Sequence, residues 1–395
     1  MIDKFRKLFL RSGPPTTCHY HLLILASLGL LYLPGCRQKS PEVVYIGHVA
    51  SFQGPDKLKG EHAKQGIQLA LDEAQGVENT IHERRVEVIH VEEPATARLA
   101  IINKVVALLA GTDGAQVASM EGVARSYEVP LIASGGWPGP RVEYVFHTGL
   151  SPTRQAEKLA EIARDLKSPS VNKVAVFTDG IEPGPSRFLV EKFAKEFLTK
   201  KGSSLVGEWT YREHRKSAAG SEGEWEFKKT DDLKEIMNEV RKRKPDAILL
   251  AGSASDLGRL RRAGLDDSLP VFFAGEDGSD RILIAEAWPQ PIFLVSAFVL
   301  TEEASQKDFI MQYQKTFNES PDVHAALAYD NLRILIEVLK RAGPQKGAKM
   351  KEAIEDLKDF QSLTGPISFS KDNHWADRKP FALRVHQGRI NRIPD

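Results

Sequence analysis

The residues best placed to do chemistry stand directly behind the apolar runs of the chain. They fall in "SFQGP" (51 to 55), "GTDGAQ" (111 to 116), "SGGW" (134 to 137), "TDGIEPG" (178 to 184), "AGSASDLG" (251 to 258) and "AGEDG" (274 to 278). These loops are rich in hydroxyls, carboxylates and glycines, which suit noncovalent recognition. A carboxylate forms charge-assisted hydrogen bonds about twice as strong as neutral ones, and glycine lets the backbone come close to a ligand. Reaction chemistry is not spelled out. There is no G-x-S-x-G elbow, no Walker A loop and no G-x-G-x-x-G after the first apolar run. The histidines show no H-E-x-x-H spacing, the cysteines are not paired, and no acidic loop has a calcium-site pattern. The expectation is a binding protein with no catalytic residues, no cofactor and no metal.

The elements that must position these loops follow a regular scheme. "VVYIGHVAS" precedes a helical pattern with Ile67, Ala70, Leu71 and Ala74 on one face. "VEVIHVEE" leads into the stretch 95 to 109, "VALLAG" into 116 to 127, and "VPLIASGG" closes a first half. "VNKVAVFTDG", "SSLVGEWTY", "DAILLAGS" and "LPVFFAGEDG" repeat the alternation with intervening helices. Apolar strands alternating with amphipathic helices predict parallel sheets covered on both faces, and two such halves predict two doubly wound α/β lobes. In such sheets ligands sit outside the carboxyl ends of the strands, where the loops quoted above fall. "PIFLVSAFVL" (291 to 300) is expected to cross between the halves, "GPISFS" and "FALRVH" to pair at the end of the chain, and 214 to 226 to be a mobile surface loop.

Charge excludes some partners. The chain has 54 Lys+Arg and 53 Asp+Glu; without residues 1 to 35 these become 50 and 52, a net charge near −2. Nothing there calls for nucleic acid. The N-terminus is different in kind. Lys4, Arg6, Lys7 and Arg11 precede the uncharged run Leu22 to Leu33, too short to span a bilayer and of the length of a secretory signal. Leu33-Pro34-Gly35-Cys36 resembles a bacterial lipobox, which implies a signal over 1–35, lipidation of Cys36, a linker over 36–41 and a place in the bacterial cell envelope. Cys18 would leave with the signal, so the exported part would hold no disulfide.

Over essentially the whole of the exported part the sequence resembles the leucine/isoleucine/valine-binding branch of the type I periplasmic binding proteins. "HAALAYDNLRILIEVLKRAG" (324 to 343) and "LTGPISFSKDNHWADRKPFALRVHQGRI" (363 to 390) carry the resemblance most strongly. It implies two Rossmann-like lobes joined by three crossovers: lobe 1 from 42–148 plus 300–363, lobe 2 from 149–299 plus 364–395. It also implies a ligand held by Phe52, Thr112, Ala115, Gln116, Gly135, Gly136 and Trp137 on one side and by Asp179, Ser253 and Glu276 on the other. Glu276 falls on the acidic position that pairs with a ligand ammonium group. The aromatic positions of the family are altered here to Lys59, Pro183 and Ser253-Ala254. Structural roles compete for several of these residues. Phe52 and Trp137 serve equally as caps of their own lobe, Asp113 as a helix N-cap, and Asp179 as a turn residue.

Two functions of different classes follow. The first is a lipid-anchored receptor that delivers a small polar solute, an amine or amino acid in particular, to an ABC permease in the membrane. The second is a non-transport lipoprotein that uses the same fold to sense or to regulate an envelope partner. Arg37, after the lipobox cysteine, fits export to an outer membrane and favours the second.

Overall fold

A computed structural model describes residues 42–394 apart from 79–83, 93–103, 137–139, 168–169, 182–184, 216–223, 276–279 and 301–303. The lipobox and Cys36, Trp137, Pro183 and Glu276 therefore lie outside the described residues.

The first half runs β1 (Val43–Ala50), a 3-10 turn (Gly54–Asp56), α1 (Lys57–Glu78), β2 (Arg85–Glu92), β3 (Val105–Ala110), α2 (Gly114–Ser126), β4 (Leu131–Ala133) and β5 (Val145–His147). Its five strands form one sheet in the order β2-β1-β3-β4-β5, all parallel. The second half runs α3 (Pro152–Asp165), β6 (Lys173–Thr178), α4 (Pro185–Phe197), β7 (Ser204–Thr210), β8 (Arg212–Arg215), β9 (Glu224–Phe227), α5 (Thr230–Arg243), β10 (Ala247–Ala251), α6 (Asp256–Arg262), β11 (Val271–Ala274), α7 (Asp280–Ala285) and β12 (Ile292–Ser296). The chain then adds α8 (Ala304–Phe317), α9 (Val323–Ala342), α10 (Ala348–Glu355), β13 (Phe360–Ser362), β14 (Gly365–Ile367), β15 (Phe381–His386) and β16 (Arg389–Arg392). The second sheet has the order β16-β15-β12-β11-β10-β6-β7, parallel from β7 to β12 and antiparallel at its β15-β16 edge.

Period-two alternation explains the layers. In β3, Ala107 and Leu109 face a core shared with α1, α8 and α9, while Leu108 and Ala110 face α2. In β10, Ile248 and Leu250 pack on the side of α5 and α6, and Ala247, Leu249 and Ala251 on the side of α3 and α4. Both sheets are thus buried on both faces, which is why their strands read as continuous apolar runs. Helix starts are set by local chemistry. Ser151 caps α3, taking the Arg154 N–H with Pro152 at the first turn, and Asp322 caps α9 through the Ala325 N–H at 3.0 Å.

The chain passes between the two sheets three times: from β5 to α3, from β12 to α8, and from β14 to β15. Three local expectations are corrected. "GPISFS" does not pair with "FALRVH": β14 turns back on β13, and β15 joins β12 in the second sheet. The stretch 95 to 109 cannot be helical to its end, because β3 begins at Val105. Of 214 to 226, residues 216–223 lie outside the described residues, and the described ends are not loop but paired strands, β8 antiparallel to β9, with Arg212 opposite Phe227 and Arg215 opposite Glu224. Period-two pairing over four residues is too short to stand out against the Ser, Gly and Glu that surround it.

Candidate functional site

Because β1, β3 and β4 are parallel and in register, their carboxyl ends come to one edge of the first sheet, with Ala110 beside Val49 and Ala133. Ser51, the segment Gly111 to Gln116, and Ser134 emerge there. The N-terminal turns of α1 and α9 close over the same edge and contribute Lys59 and His324. Of these, Ser51, Lys59, Gly111, Thr112, Asp113, Gln116, Ser134 and His324 line one pocket. Its free volume is small, about 30 Å³, room for roughly two waters. All of its lining residues come from the first lobe.

The polar groups are arranged in pairs. Thr112 Oγ1 lies 3.3 Å from His324 Nδ1, both buried. Burial holds His324 neutral, its pKa pushed down to about 4. Lys59 Nζ meets Asp56 Oδ1 at 2.9 Å. Asp113 Oδ1 accepts the Gln116 N–H at 3.2 Å and its carbonyl accepts the Val117 N–H at 3.0 Å, so Asp113 is the N-cap of α2. That use of the Gln116 N–H takes one backbone donor away from any ligand; its side chain still lines the pocket.

The remaining expected residues divide. Thr112 and Gln116 line the pocket, and Ala115 stands in the first turn of α2. Gly135 and Gly136 stand just behind Ser134, and both are needed for close approach. A Cβ on Gly135 would lie 2.3 Å from the Thr112 carbonyl oxygen, and one on Gly136 2.3 Å from the His147 ring. Phe52 turns to its own lobe. Its ring stands edge-on to His48 and His90, centroids 6.0 and 6.2 Å away, and its N–H donates to the Glu92 carboxylate at 3.0 Å. The structure does not bring it into the pocket with Thr112.

Asp179 and Ser253 lie at strand ends of the second sheet. Asp179 Oδ1 accepts the Ile181 N–H at 3.1 Å, a turn contact, and Oδ2 accepts the Ser186 hydroxyl at 2.9 Å. Burial raises its pKa, against the pull of those two donors. Ser253 is exposed and bonds Ser255 at 2.9 Å, while Ala254 is buried in the lobe's core. Beside them Arg212 Nη2 donates to both oxygens of buried Asp256, at 2.9 and 2.8 Å. Across the lobes, Arg281 on α7 donates to the Ser320 carbonyl at 3.0 Å. A larger cavity of about 510 Å³ lies between α2 and residues 372–375, but its cation, Arg141, is already bound to Glu355 and His374, both at 2.9 Å.

Sequence reasoning missed His324 and Ser134. His324 was legible in part: Ser320-Pro321-Asp322 ahead of a long apolar helix is a start signal, and a helix start at a cleft edge points its first residues inward.

Two α/β lobes, three connections and a polar pocket at the carboxyl ends of parallel strands define a type I two-lobed binding protein. The chain belongs to the periplasmic binding protein family, whose model matches residues 43–389. No curated protein sequence matches it. Among solved structures it is similar to a leucine-binding protein, LivK, of Thermotoga maritima, at TM-score 0.69 and 17% identity over 89% of this chain and 98% of that one. It is also similar to LivJ of Streptococcus pneumoniae in complex with isoleucine, at 0.68 and 22% over 89% and 98%. A solute-binding protein of Rhodopseudomonas palustris in complex with 3,4-dihydroxybenzoic acid matches at 0.68 and 19% over 89% and 96%. Identities this low speak for the fold alone.

Proposed function

We propose that this protein is a lipid-anchored extracytoplasmic receptor of an ABC importer that closes its two lobes on a small polar solute bearing a carboxylate. The observation that carries the reading is the first-lobe pocket at the strand ends, walled by Thr112, Ser134, Lys59 and neutral His324. Its small volume fits half of a binding site, the other half coming from the facing lobe, since ligand pockets enclose about 300–1,000 Å³. The solutes named in similar structures, isoleucine and dihydroxybenzoic acid, share only the carboxylate. An amino acid is the narrower choice. It rests on Glu276, the carboxylate that would answer an ammonium group.

A panel of amino acids and hydroxybenzoates tests this by thermal shift. A true ligand at 100 times its Kd stabilises the folded state by about 2.7 kcal/mol. A Tm that none of the panel moves would instead favour the non-transport reading, in which the Lys59–Asp56 pair, 2.9 Å across, closes a disused pocket.

The anchor is a separate prediction. Cys36 should carry a diacylglycerol thioether and an acylated N-terminus, since one chain holds a protein to a membrane only marginally and two hold it stably. Cys36→Ser should move the protein from the membrane fraction to the soluble one. Intact-mass measurement finding an unmodified Cys36, or a mature chain starting beyond it, would count against the anchor.

A further inference from the structure

We infer that Asn331 is a positioning residue for ligand binding: it aims the hydroxyl proton of Ser134 into the first-lobe pocket, so that the bound solute presents a hydrogen-bond acceptor there. The inference rests on the solute-receptor reading and adds to it the residue that sets the polarity of this wall.

Asn331 sits on α9, fully enclosed with its two partners; Asn331, Ser134 and Thr148 are 1%, 3% and 0% exposed. Its amide spans them, Oδ1 at 2.5 Å from Thr148 Oγ1 and Nδ2 at 3.0 Å from Ser134 Oγ. These two lengths decide which way the amide faces. A separation of 2.5 Å belongs to O–H···O and is shorter than N–H···O bonds run, whereas 3.0 Å is ordinary for N–H···O. The oxygen therefore faces Thr148 and the NH2 faces Ser134.

The protons then follow by count, because each hydroxyl has one to give. Thr148 has two acceptors in reach, the Ala133 carbonyl at 3.2 Å and Asn331 Oδ1 at 2.5 Å, and gives its proton to the much shorter contact, Asn331. Ser134 accepts from the Asn331 amide, so its own proton is not spent on α9. The Ser134 backbone N–H is already bound to the Ala110 carbonyl at 3.0 Å. What Ser134 offers the pocket it lines is a hydroxyl donor. The charged groups of the wall agree with this polarity. Lys59 is a donor, and the carboxylates of Asp56 and Asp113 are directed to Lys59 and to the Gln116 N–H. An acceptor such as a carboxylate or carbonyl oxygen matches this wall, and an ammonium group does not.

Asn331→Asp separates positioning from packing. A protonated carboxyl reproduces both bonds, its O–H donating to Ser134 and its C=O accepting from Thr148. The ionised form has acceptors only and draws the Ser134 proton away from the pocket. Burial raises the pKa of such a carboxyl, which brings the change into a workable range. The probes are L-leucine and benzoate, titrated calorimetrically into wild type and variant from pH 5 to pH 8.

Affinity of the variant should lie within about threefold of wild type at pH 5 and fall about tenfold or more below it at pH 8, the scale of one hydrogen bond to a charged group. Asp56, Lys59, Asp113 and His324 around the pocket, Asp330 and Arg333 on α9, Arg378 from the third passage, and His147 beside Thr148 also carry charge or titrate. They are common to both proteins, so the ratio at each pH isolates the introduced carboxyl. In a Ser134→Ala background the ratio should no longer depend on pH.

A ratio flat with pH, or a pH dependence that survives Ser134→Ala, overturns the role of Asn331 while leaving the receptor reading intact. If neither probe binds wild type, the carboxylate reading falls and this inference with it. Should Asn331→Asp unfold at high pH, Asn331→Ala replaces it. Its loss of affinity must then be absent in the Ser134→Ala background, and additive losses reject the inference.

Discussion

Arg378→Met is expected to cost about 3–5 kcal/mol of folding free energy, the range for removing one partner of a buried ion pair. Arg378 lies in the third passage between the lobes and is 3% exposed; Asp330 on α9 is 1% exposed. The guanidinium donates through Nη2 to Asp330 at 3.3 Å, through Nε to the Thr148 carbonyl in the first passage at 2.5 Å, and through Nη1 to Thr364 at 2.5 Å. One side chain thus joins two of the three passages to the first lobe. Methionine keeps much of the volume but, among the described residues, leaves Asp330 with the Leu363 N–H at 3.1 Å and Arg333 at 3.6 Å. Burial already raises the pKa of Asp330 against the pull of Arg378 and Arg333, so without Arg378 its charge becomes costlier still. Adding Asp330→Asn should recover a large part of the loss, because the expense lies in the orphaned charge. Denaturant unfolding of wild type, both single variants and the double variant measures this. A loss under about 1 kcal/mol for Arg378→Met would mean that the cluster relaxes or hydrates freely, contrary to the general cost of an uncompensated buried charge.

Acid should weaken the fold well before the ordinary carboxylates titrate. Among the described residues, five histidines are held neutral, primarily by burial: His48 with a pKa of about 3, His90, His147 and His324 with values of about 4, and His374, also pushed below the ordinary value. The unfolded chain has its histidines at the ordinary value of 6.5. Between these limits the unfolded state binds more protons than the folded one, so stability falls as pH falls, by about 1.4 kcal/mol per pH unit for each proton. His62 works in the opposite sense. Its hydrogen bond to Asp322, at 2.7 Å, raises its pKa, which adds stability below 6.5 and withdraws it as pH rises through the raised value. Five against one leaves a net loss on the order of 3 kcal/mol or more between pH 6.5 and 5. Unfolding free energy measured across that range should decline, and His324→Gln should flatten the decline. A stability that holds or grows toward pH 5 would show these rings to be hydrated and titrating freely.

Much of the architecture was legible because it rests on short-range periodicity. Leu108 and Leu109 point to opposite faces by the pleat of β3 alone, and runs such as "AILLA" (247 to 251) are apolar throughout because helices cover both sides of the sheet. The positions of the recognition loops were legible too, since parallel strands end together and their loops must follow. Asp113 could be read as an N-cap because the bond that defines the role spans three residues. Phe52 could not be assigned, because its contacts with His48 and His90 depend on β1 lying beside β2. The pairing of "GPISFS" with its upstream neighbour rather than with "FALRVH" was hidden for a similar reason: both partners are short strands with plausible turns between them.

The sequence by itself determined the alternation of strands and helices, the two-lobed plan and the edge at which a ligand would be met. All of these follow from hydrophobic period and from local capping, which act over a few residues. The tertiary structure alone decided that His324 faces Thr112 across 212 positions, that Asn331 bridges Ser134 and Thr148 across 197 and 183, and that Arg378 reaches Thr148 across 230. Such pairs leave no periodic trace, because neither residue's local conformation depends on the other. They exist only once the helices are laid over the strand ends, where burial makes each polar group find a partner or pay the cost of desolvation.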